Sequence, residues 1–526
     1  MDGSNPELKS KSQPLGYFRN LTCPSRPIAR ARLGRGRRMT LAVVHAAVVT
    51  KLYAKRHRVV TVSFKVCARP RRTSASRILG RSRSSSRTQD LGVVGPCGTR
   101  QDSGQAAEQT GPNRKTGLEM IGGLTTALSL LFIAASVFGS ICALGAAWAA
   151  RWFVRQPPAS TPMTWPDVSI LKPLCGAEAQ LSENIETYFH QDYPSKIQFV
   201  FGVQDSADGA IPVVKSLIER YPGLDIRLVV NAAAHGANRK VSNLINIGQV
   251  ARYPVIVVND SDVAVGPNYL RTLAAALAQP GVGAVTCLYR GRPIGGLWSR
   301  LSTMAVHDHF LPAVTLGLAL GLARPCIGPT IALSRETLSR IGGFEIVANQ
   351  LADDYAIGKA VRRAGLRVVL PPMLVAHAFE EKSLSEVVRH ELRWARTIFT
   401  IDPVGYVGSG VTHALPMSLI GAALRGFDAL GLAVVLSALA CRLFLKFRLT
   451  REFELPNPNY SLTLVRDILS FAIYCGCFWS TRVSWRGEDF IVGRDGTMLA
   501  VPRRVDSAKY AEAGRVGSVP LGMERR

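Results

Sequence analysis

The sequence predicts an α/β fold: a mostly parallel sheet with flanking helices, joined to transmembrane helices on its N-terminal and C-terminal sides. Three observations carry that expectation. Between residues 167 and 380 short β-branched runs alternate with helical patterns, as βαβ units require. An uncharged apolar run of more than 20 residues precedes this stretch, long enough to span a bilayer. After residue 411 the chain turns oily again.

Residues 1–119 hold 24 Lys or Arg against 6 Asp or Glu, about two thirds of the net charge of +27. They are rich in Arg, Ser, Pro and Gly and lack sustained apolar periodicity outside LAVVHAAVVT. Such a segment buries too little apolar area to offset its ordering entropy. Its charge suits nucleic acid or anionic lipid, and its acid-poor composition suits a transit peptide. The favoured reading is a non-native, disordered extension, with the chain proper starting at or near Met120 and no nucleic-acid partner. The ten cysteines show no C-x-x-C pair, so neither a disulfide framework nor a structural zinc is expected.

The apolar run 121–148 predicts an N-terminal transmembrane helix over 120–155. Arg151 and Arg155 follow it, with Trp148 and Trp152 at its edge. Positive-inside bias and the aromatic belt then put the following domain in the cytoplasm. The run is too long for a signal peptide and shows no A-x-A-like cleavage site. A Pro-rich joint, QPPASTPMTWP, ends it.

The soluble domain, 165–410, reads strand by strand: VSILKPL, IQFVFGVQD, DIRLVVN, VIVVNDSD and VGAVTCLYRG, with helices at AIPVVKSLIERYP, KVSNLINIGQVARY and NYLRTLAAALAQ between them. In open α/β sheets ligands bind beyond the carboxyl ends of strands. Asp205, Asp260 and Asp262 all end strands and are expected to face one crevice. Membrane helices are expected over 411–485. LPMSLIGAALRGF, with Pro416 and Arg425, is short enough to be interfacial or re-entrant. DALGLAVVLSALACRLFLKF can span, and ILSFAIYCGCFWS is a shorter third candidate. A tail, 486–526, closes the chain, with 503–526 expected to be disordered.

Two carboxylates at i and i+2 on a strand end reach one side as the strand breaks into a turn. Mg²⁺ binds through one or two carboxylates plus substrate phosphates, so the Asp260–Ser261–Asp262 turn suits a nucleotide diphosphate bridged by Mg²⁺ or Mn²⁺. An ordinary Asx turn is the plainer alternative. Asp353 and Asp354 open a helix in LADDYAIG, where an anion is stabilised; this suits a base as well as a cap. In HELRWARTI, Arg393 offers a fork for phosphate oxygens and Trp394 a ring to stack or to mark a membrane interface. His307 and His309, two apart on a helix, do not share a face and are not expected to bind metal together, though His307 is a weak acceptor-site candidate. Cys326 is read as a packing residue near the acceptor rather than a nucleophile.

Asp260 follows Asp205 by 55 residues, Asp353 follows Asp260 by 93, and Arg393 follows Asp354 by 39. This order resembles the family-2-like glycosyltransferases of GT-A (Rossmann-like) fold, in particular the ceramide glucosyltransferase branch. ILKPLCG, QDYP, VQD, KVSNL, GGF, ADDY and SWRG strengthen the resemblance. VTCLYRGRPIGGLWSRL, LADDY and HELRWARTI look most like bacterial hopanoid-biosynthesis-associated glycosyltransferases. His390 departs from the branch's (Q/R)xxRW motif, and DSD stands where the branch often has DSG.

The resemblance implies an inverting, metal-dependent transfer from a UDP-sugar to a membrane lipid hydroxyl. The sugar it implies is N-acetylglucosamine and the acceptor bacteriohopanetetrol, at the inner membrane of a bacterium. It puts Asp205, Lys240, Asn243 and Asp260 on the nucleotide-sugar, Asp262 with Asp260 on the metal, Asp354 as base with Asp353 tuning it, and Arg393 and Trp394 over the diphosphate or acceptor. The rivals are a ceramide glucosyltransferase using UDP-glucose, a processive polysaccharide synthase, and a non-catalytic membrane scaffold. Protein partners are not legible.

Overall fold

No Pro interrupts residues 113–154, and the helix runs through Gly117, Gly122 and Gly123. That helix, Asn113–Val154, begins ahead of Met120. A computed structural model describes residues 113–456, 458–479, 482–485, 488–493 and 495–500, all within one unit. The basic extension up to residue 112, expected to be disordered, and the last residues, 501–526, lie outside the described residues.

Among the described residues two helices are long and apolar enough to cross a membrane, Glu119–Val154 and Ala429–Glu452. The short segment expected to be interfacial or re-entrant belongs to a bent pair, Pro403–Thr412 and Ala414–Leu424, with 64° between them. Helix Thr463–Gly476, at 14 residues, is shorter than a span. Small residues let the apolar helices approach closely, as in membrane bundles. A Cβ on Gly139 would meet Ala414 Cβ at 3.0 Å, and one on Gly431 would meet Ala422 Cα at 2.9 Å.

The soluble domain is built on ten strands: β1 Val168–Pro173, β2 Ile197–Val203, β3 Asp225–Val230, β4 Val255–Val258, β5 Val263–Ala264, β6 Val282–Thr286, β7 Leu288–Pro293, β8 Ile331–Ser334, β9 Arg367–Val369 and β10 Leu374–Phe379. Seven make one sheet in the order β3-β2-β1-β4-β8-β6-β9. All its pairings are parallel except those of β8, which runs antiparallel to β4 and β6. The expected α/β class, with a mostly parallel sheet and flanking helices, is therefore what the chain adopts. VGAVTCLYRG, read as one strand, divides at Cys287. β6 stays in the main sheet, and β7 joins β10 and β5 in a second, three-stranded one. Period-2 patterning does not distinguish one strand from two collinear halves that leave for different sheets.

Alternate side chains along the strands sort to opposite faces. Ile170, Phe199, Phe201 and Val257 pack with helices Leu181–Phe189, Ala210–Arg220 and Tyr269–Leu277. Leu171, Val200, Ile256 and Val258 pack with helices Arg239–Gly248 and Asp353–Arg363. The first core continues into Ala146, Ala150 and Phe153 of one apolar helix and Leu445 and Leu449 of the other. The α/β layer is thus packed directly onto the ends of both candidate spans.

The end of the stretch expected as membrane helices, 482–485, and part of the stretch read as tail form strands instead. β11 Arg482–Trp485, β12 Glu488–Val492 and β13 Met498–Ala500 form an antiparallel sheet. Met498 N–H donates to Asn349 O at 2.8 Å and Leu351 N–H to Gly496 O at 3.0 Å. These bonds fasten the little sheet beside the segment that leads into Asp353.

Candidate active site

The DSD turn is held from beneath. β4 stops at Val258, and buried Asn259 donates from Nδ2 to Tyr269 Oη, Pro329 O and Thr330 Oγ1. Its backbone N–H donates to Leu171 O at 3.1 Å. Lys172 of β1, 1% exposed, donates from Nζ to Asp260 O at 2.7 Å and sits 4.1 Å from the Tyr188 ring centroid. Burial pulls its ammonium down to about 7, opposed by Asp262 and Asp260.

The two turn carboxylates differ. Asp260 takes Lys240 Nζ at 2.6 Å. Asp262 Oδ2 lies 3.2 Å from His377 Nε2 on β10, while its Oδ1 is buried without a hydrogen-bond partner. An orphaned buried carboxylate oxygen is costly and suits a cation. Among the described residues no three His, Cys, Asp or Glu side chains form a ready metal cage. A hard divalent ion does not need one, since two carboxylates, waters and phosphate oxygens complete its shell. Asp260 and Asp262 fit that demand, with Lys240 as the competitor for Asp260.

Helix Asp353–Arg363 begins with the second acid pair. Asp354 accepts from Gly328 N–H at 2.8 Å and from its neighbour Tyr355 N–H at 2.7 Å. Enclosure by protein, then the adjacent Asp353 charge, push the Asp354 carboxyl up to about 7. Lys240 reaches Asp353 Oδ2 at 3.6 Å, so one ammonium links the two acid pairs. Burial opposes its charge, but Asp260 and Asp353 outweigh that and raise its pKa.

Asp260, Asp262, Asp353, Asp354, Arg393 and Trp394 line one hollow of about 550 Å³. Its acidic floor rises to an apolar wall of Tyr289, Phe310, Ile398 and Ile401. Arg393 and Trp394 arrive on helix Leu384–Ile401, capped by Ser383 accepting from Glu386 N–H. Trp394 packs edge-on against His390, with centroids 4.4 Å apart, and Phe379. His390, the departure from the motif, binds Glu381 Oε1 through Nδ1 at 2.5 Å. Cys326 is buried in the wall, where burial raises its thiol pKa, against nucleophilic use.

Asp205 and Asn243 lie in an adjoining pocket of about 210 Å³ that shares Lys240 and Pro173 with the hollow. Asp205 is exposed, its Oδ1 accepting from Ala207 N–H at 2.9 Å. Asn243 is 4% exposed and ties strand ends together, donating to Gly202 O at 2.7 Å. Its Oδ1 is buried without a partner.

His307 is not brought to the acids. Its Nε2 accepts from Gly291 N–H at 3.0 Å, and it lines a separate cavity of about 310 Å³ with Asp308 and Lys446. The cause is a π-helical turn, Val306–Phe310, which rotates the ring towards β7. His309 turns instead to Arg442 Nη2, 2.7 Å away, so the two histidines share no site. Sequence reasoning missed Lys172 and His377. Each is a polar residue interrupting an apolar strand, in ILKPL and LVAHAF, and that interruption was the available signal.

A family model described as Glycosyl transferase family 21 matches residues 128–498. Ceramide glucosyltransferase 1 of Caenorhabditis elegans is 24% identical over 371 residues, covering 66% of this chain and 78% of that one. An N-acetylglucosaminyltransferase of Mesorhizobium japonicum is 26% identical over 255 residues, covering 46% of this chain and 58% of that one. Among solved structures, the mannosyltransferase PcManGT from Pyrobaculum calidifontis, in complex with GDP-Man and Mn²⁺, matches at 20% identity and a TM-score of 0.43, covering 68% of this chain and 99% of that one.

Proposed function

The chain belongs to glycosyl transferase family 21, and from that premise we propose that it transfers a sugar from a UDP-sugar to a hydroxyl of a membrane lipid, with inversion. One observation carries this reading: Asp260, Asp262, Asp353 and Asp354 converge, with Glu178, on a single hollow whose other wall is apolar and whose domain packs onto two candidate spans. The arrangement suits a charged, water-soluble donor meeting an acceptor that stays in the bilayer.

In this reading Asp205, Asn243 and Lys240 hold the nucleotide side in the adjoining pocket, and Asp260 lies near the ribose or diphosphate. Asp262, with Asp260, would hold Mg²⁺ or Mn²⁺, which as a Lewis acid neutralises charge on the leaving diphosphate. The lipid hydroxyl oxygen attacks the anomeric carbon as the bond to the diphosphate oxygen breaks, through an oxocarbenium-like transition state. Asp354 takes the hydroxyl proton, and UDP departs with the bonding electron pair. A base with a pKa near the working pH is the efficient choice. Direct attack inverts the anomeric centre, so an α-linked donor gives a β-glycoside. Arg393 and Trp394 stand over the diphosphate or acceptor.

N-acetylglucosamine and bacteriohopanetetrol are the proposed donor sugar and acceptor, at a bacterial inner membrane with the catalytic domain in the cytoplasm. The likeness to a ceramide glucosyltransferase over 66% of the chain favours glucosylceramide synthesis as the second reading. The test is UDP release by the full chain in nanodiscs. Either UDP-N-acetylglucosamine or UDP-glucose is supplied, with either bacteriohopanetetrol or ceramide, and the lipid product is identified by mass spectrometry. A hexosamine on the hopanoid supports the first reading and a hexose on ceramide the second. No transfer with any pairing, on folded protein that binds UDP, removes both.

A further inference from the structure

A second charged hollow lies on the far side of Pro325 from the acids. Helix Leu311–Ala319 is apolar apart from buried Thr315 and packs against the first span near its end. A Cβ on Gly145 would sit 3.4 Å from Leu316 Cδ1. Trp148 and Trp152, 60% and 37% exposed, follow on the same span and mark the level of a membrane interface.

The helix ends in a tight turn. Gly321 adopts φ +67°, in the left-handed region, and Leu322 and Ala323 N–H both donate to Gly317 O, at 2.8 and 3.0 Å. Gly317 has no room for a side chain, because a Cβ there would meet Ala323 Cβ at 2.8 Å. The closed turn holds Leu320 and Leu322 at its tip, 51% and 53% exposed. A rigid turn displaying two leucines beside an interface helix is shaped to enter the headgroup region rather than water.

Directly beside the turn is a cavity of about 460 Å³ lined by Leu318, Arg324, Arg362 and Arg367, with no carboxylate in its wall. Among the described residues none of the three arginines forms an ion pair. Arg362 stacks 5.7 Å from the Tyr355 ring centroid and leaves Nη1 buried without a hydrogen-bond partner. Arg367 donates from Nη2 to Pro280 O at 2.6 Å. Three guanidinium groups around one hollow match the oxygen geometry of a phosphate diester.

We propose that Arg324, Arg362 and Arg367 form a binding site for the phosphate headgroup of an anionic phospholipid, whose acyl chains lie along Leu320 and Leu322. The site is separate from the acid-lined hollow and does not depend on which sugar or acceptor that hollow takes. It would anchor the catalytic layer to the leaflet next to the acceptor entrance.

The test is native mass spectrometry of the full chain in detergent, titrated with phosphatidylglycerol or phosphatidylcholine of the same acyl length. Each basic residue near a membrane surface contributes about fivefold in affinity, so R324Q/R367Q is expected to weaken phosphatidylglycerol binding at least tenfold. Both arginines are exposed, which spares the fold, and R324Q alone, expected at about fivefold, is the milder variant. UDP binding measured on the same samples is expected to be unchanged. Equal retention of the two lipids by the wild type, or undiminished phosphatidylglycerol binding in the variants, overturns the proposal. Inorganic phosphate displacing the lipid at low millimolar concentration also overturns it, because the site would then serve a soluble anion.

Discussion

The acid-lined hollow and the collar of helices behind it use the same residue types and treat them oppositely. In the collar every buried charge is met. Arg442 reaches Asp467 at 2.7 Å and Asp308 O at 2.6 Å. Lys446 holds Asp308 at 2.9 Å. Arg466, fully buried, grips Glu391 with two nitrogens, at 2.8 and 2.5 Å, and donates to Leu301 O. In the hollow, Asp260 and Asp353 share one lysine, Asp262 keeps an unpartnered oxygen, and Asp354 is pushed towards its neutral form. Saturated charge fixes helices in place. Unsaturated charge is stability forgone to keep a site ready for ligand.

The largest test of this contrast is D354N. Losing a general base costs about 10²–10⁴ in rate, so UDP release is expected to fall by that factor while the thermal midpoint changes little, because relief of the buried charge offsets the loss of one of the two N–H contacts that Asp354 accepts. Near-wild-type release removes the base assignment.

R466M should strike stability first. It leaves Glu391 buried and unpaired, at a cost of about 3–5 kcal/mol, read as a lowered thermal midpoint. Because Glu391 is two residues from Arg393 on one helix, activity should fall with stability. The paired change E391L/R466L is expected to recover most of the loss; a stable R466M would erase the distinction between the two regions.

K172M tests the floor of the hollow. It strands Asp260 O without its buried donor, for about 1–3 kcal/mol, and loosens the DSD turn, so UDP affinity should weaken more than folding.

The pH response is the finest test. With Asp354 raised to about 7 from the ordinary 3.8, the folded chain binds more protons than the unfolded one between those values. Stability from this group is full below about pH 4 and is lost as pH rises through about 7. A base must be ionised, so activity runs the other way, falling about tenfold per pH unit below 7. D354N should flatten both trends, and parallel profiles for the two properties would refute the assignment.

Much of the architecture was written locally. The apolar runs gave the candidate spans, because a bilayer demands about 20 uncharged residues in succession. β-branched runs at VSILKPL and VIVVNDSD gave β1 and β4, and the acids at their ends and at a helix start gave the hollow's candidates, since strand ends and helix N-termini are local features. Local patterning failed where partners are remote. Nothing near Lys172 reveals that its ammonium lies under Asp260, 88 residues on, nor near Asp262 that His377 stands beside it.

The sequence by itself determined the class of sheet, the two candidate spans and which acids end which elements, because side-chain periodicity and burial of apolar area act over a few residues. Only the tertiary structure decided that β6 and β7 part at Cys287, that residues 482–500 fasten onto the segment before Asp353, and that a π-turn takes His307 away from the acids. It alone placed Arg466 behind the helix that carries Arg393 and Trp394. Those outcomes depend on how distant segments share space and satisfy one another's buried polar groups, and no local pattern encodes that.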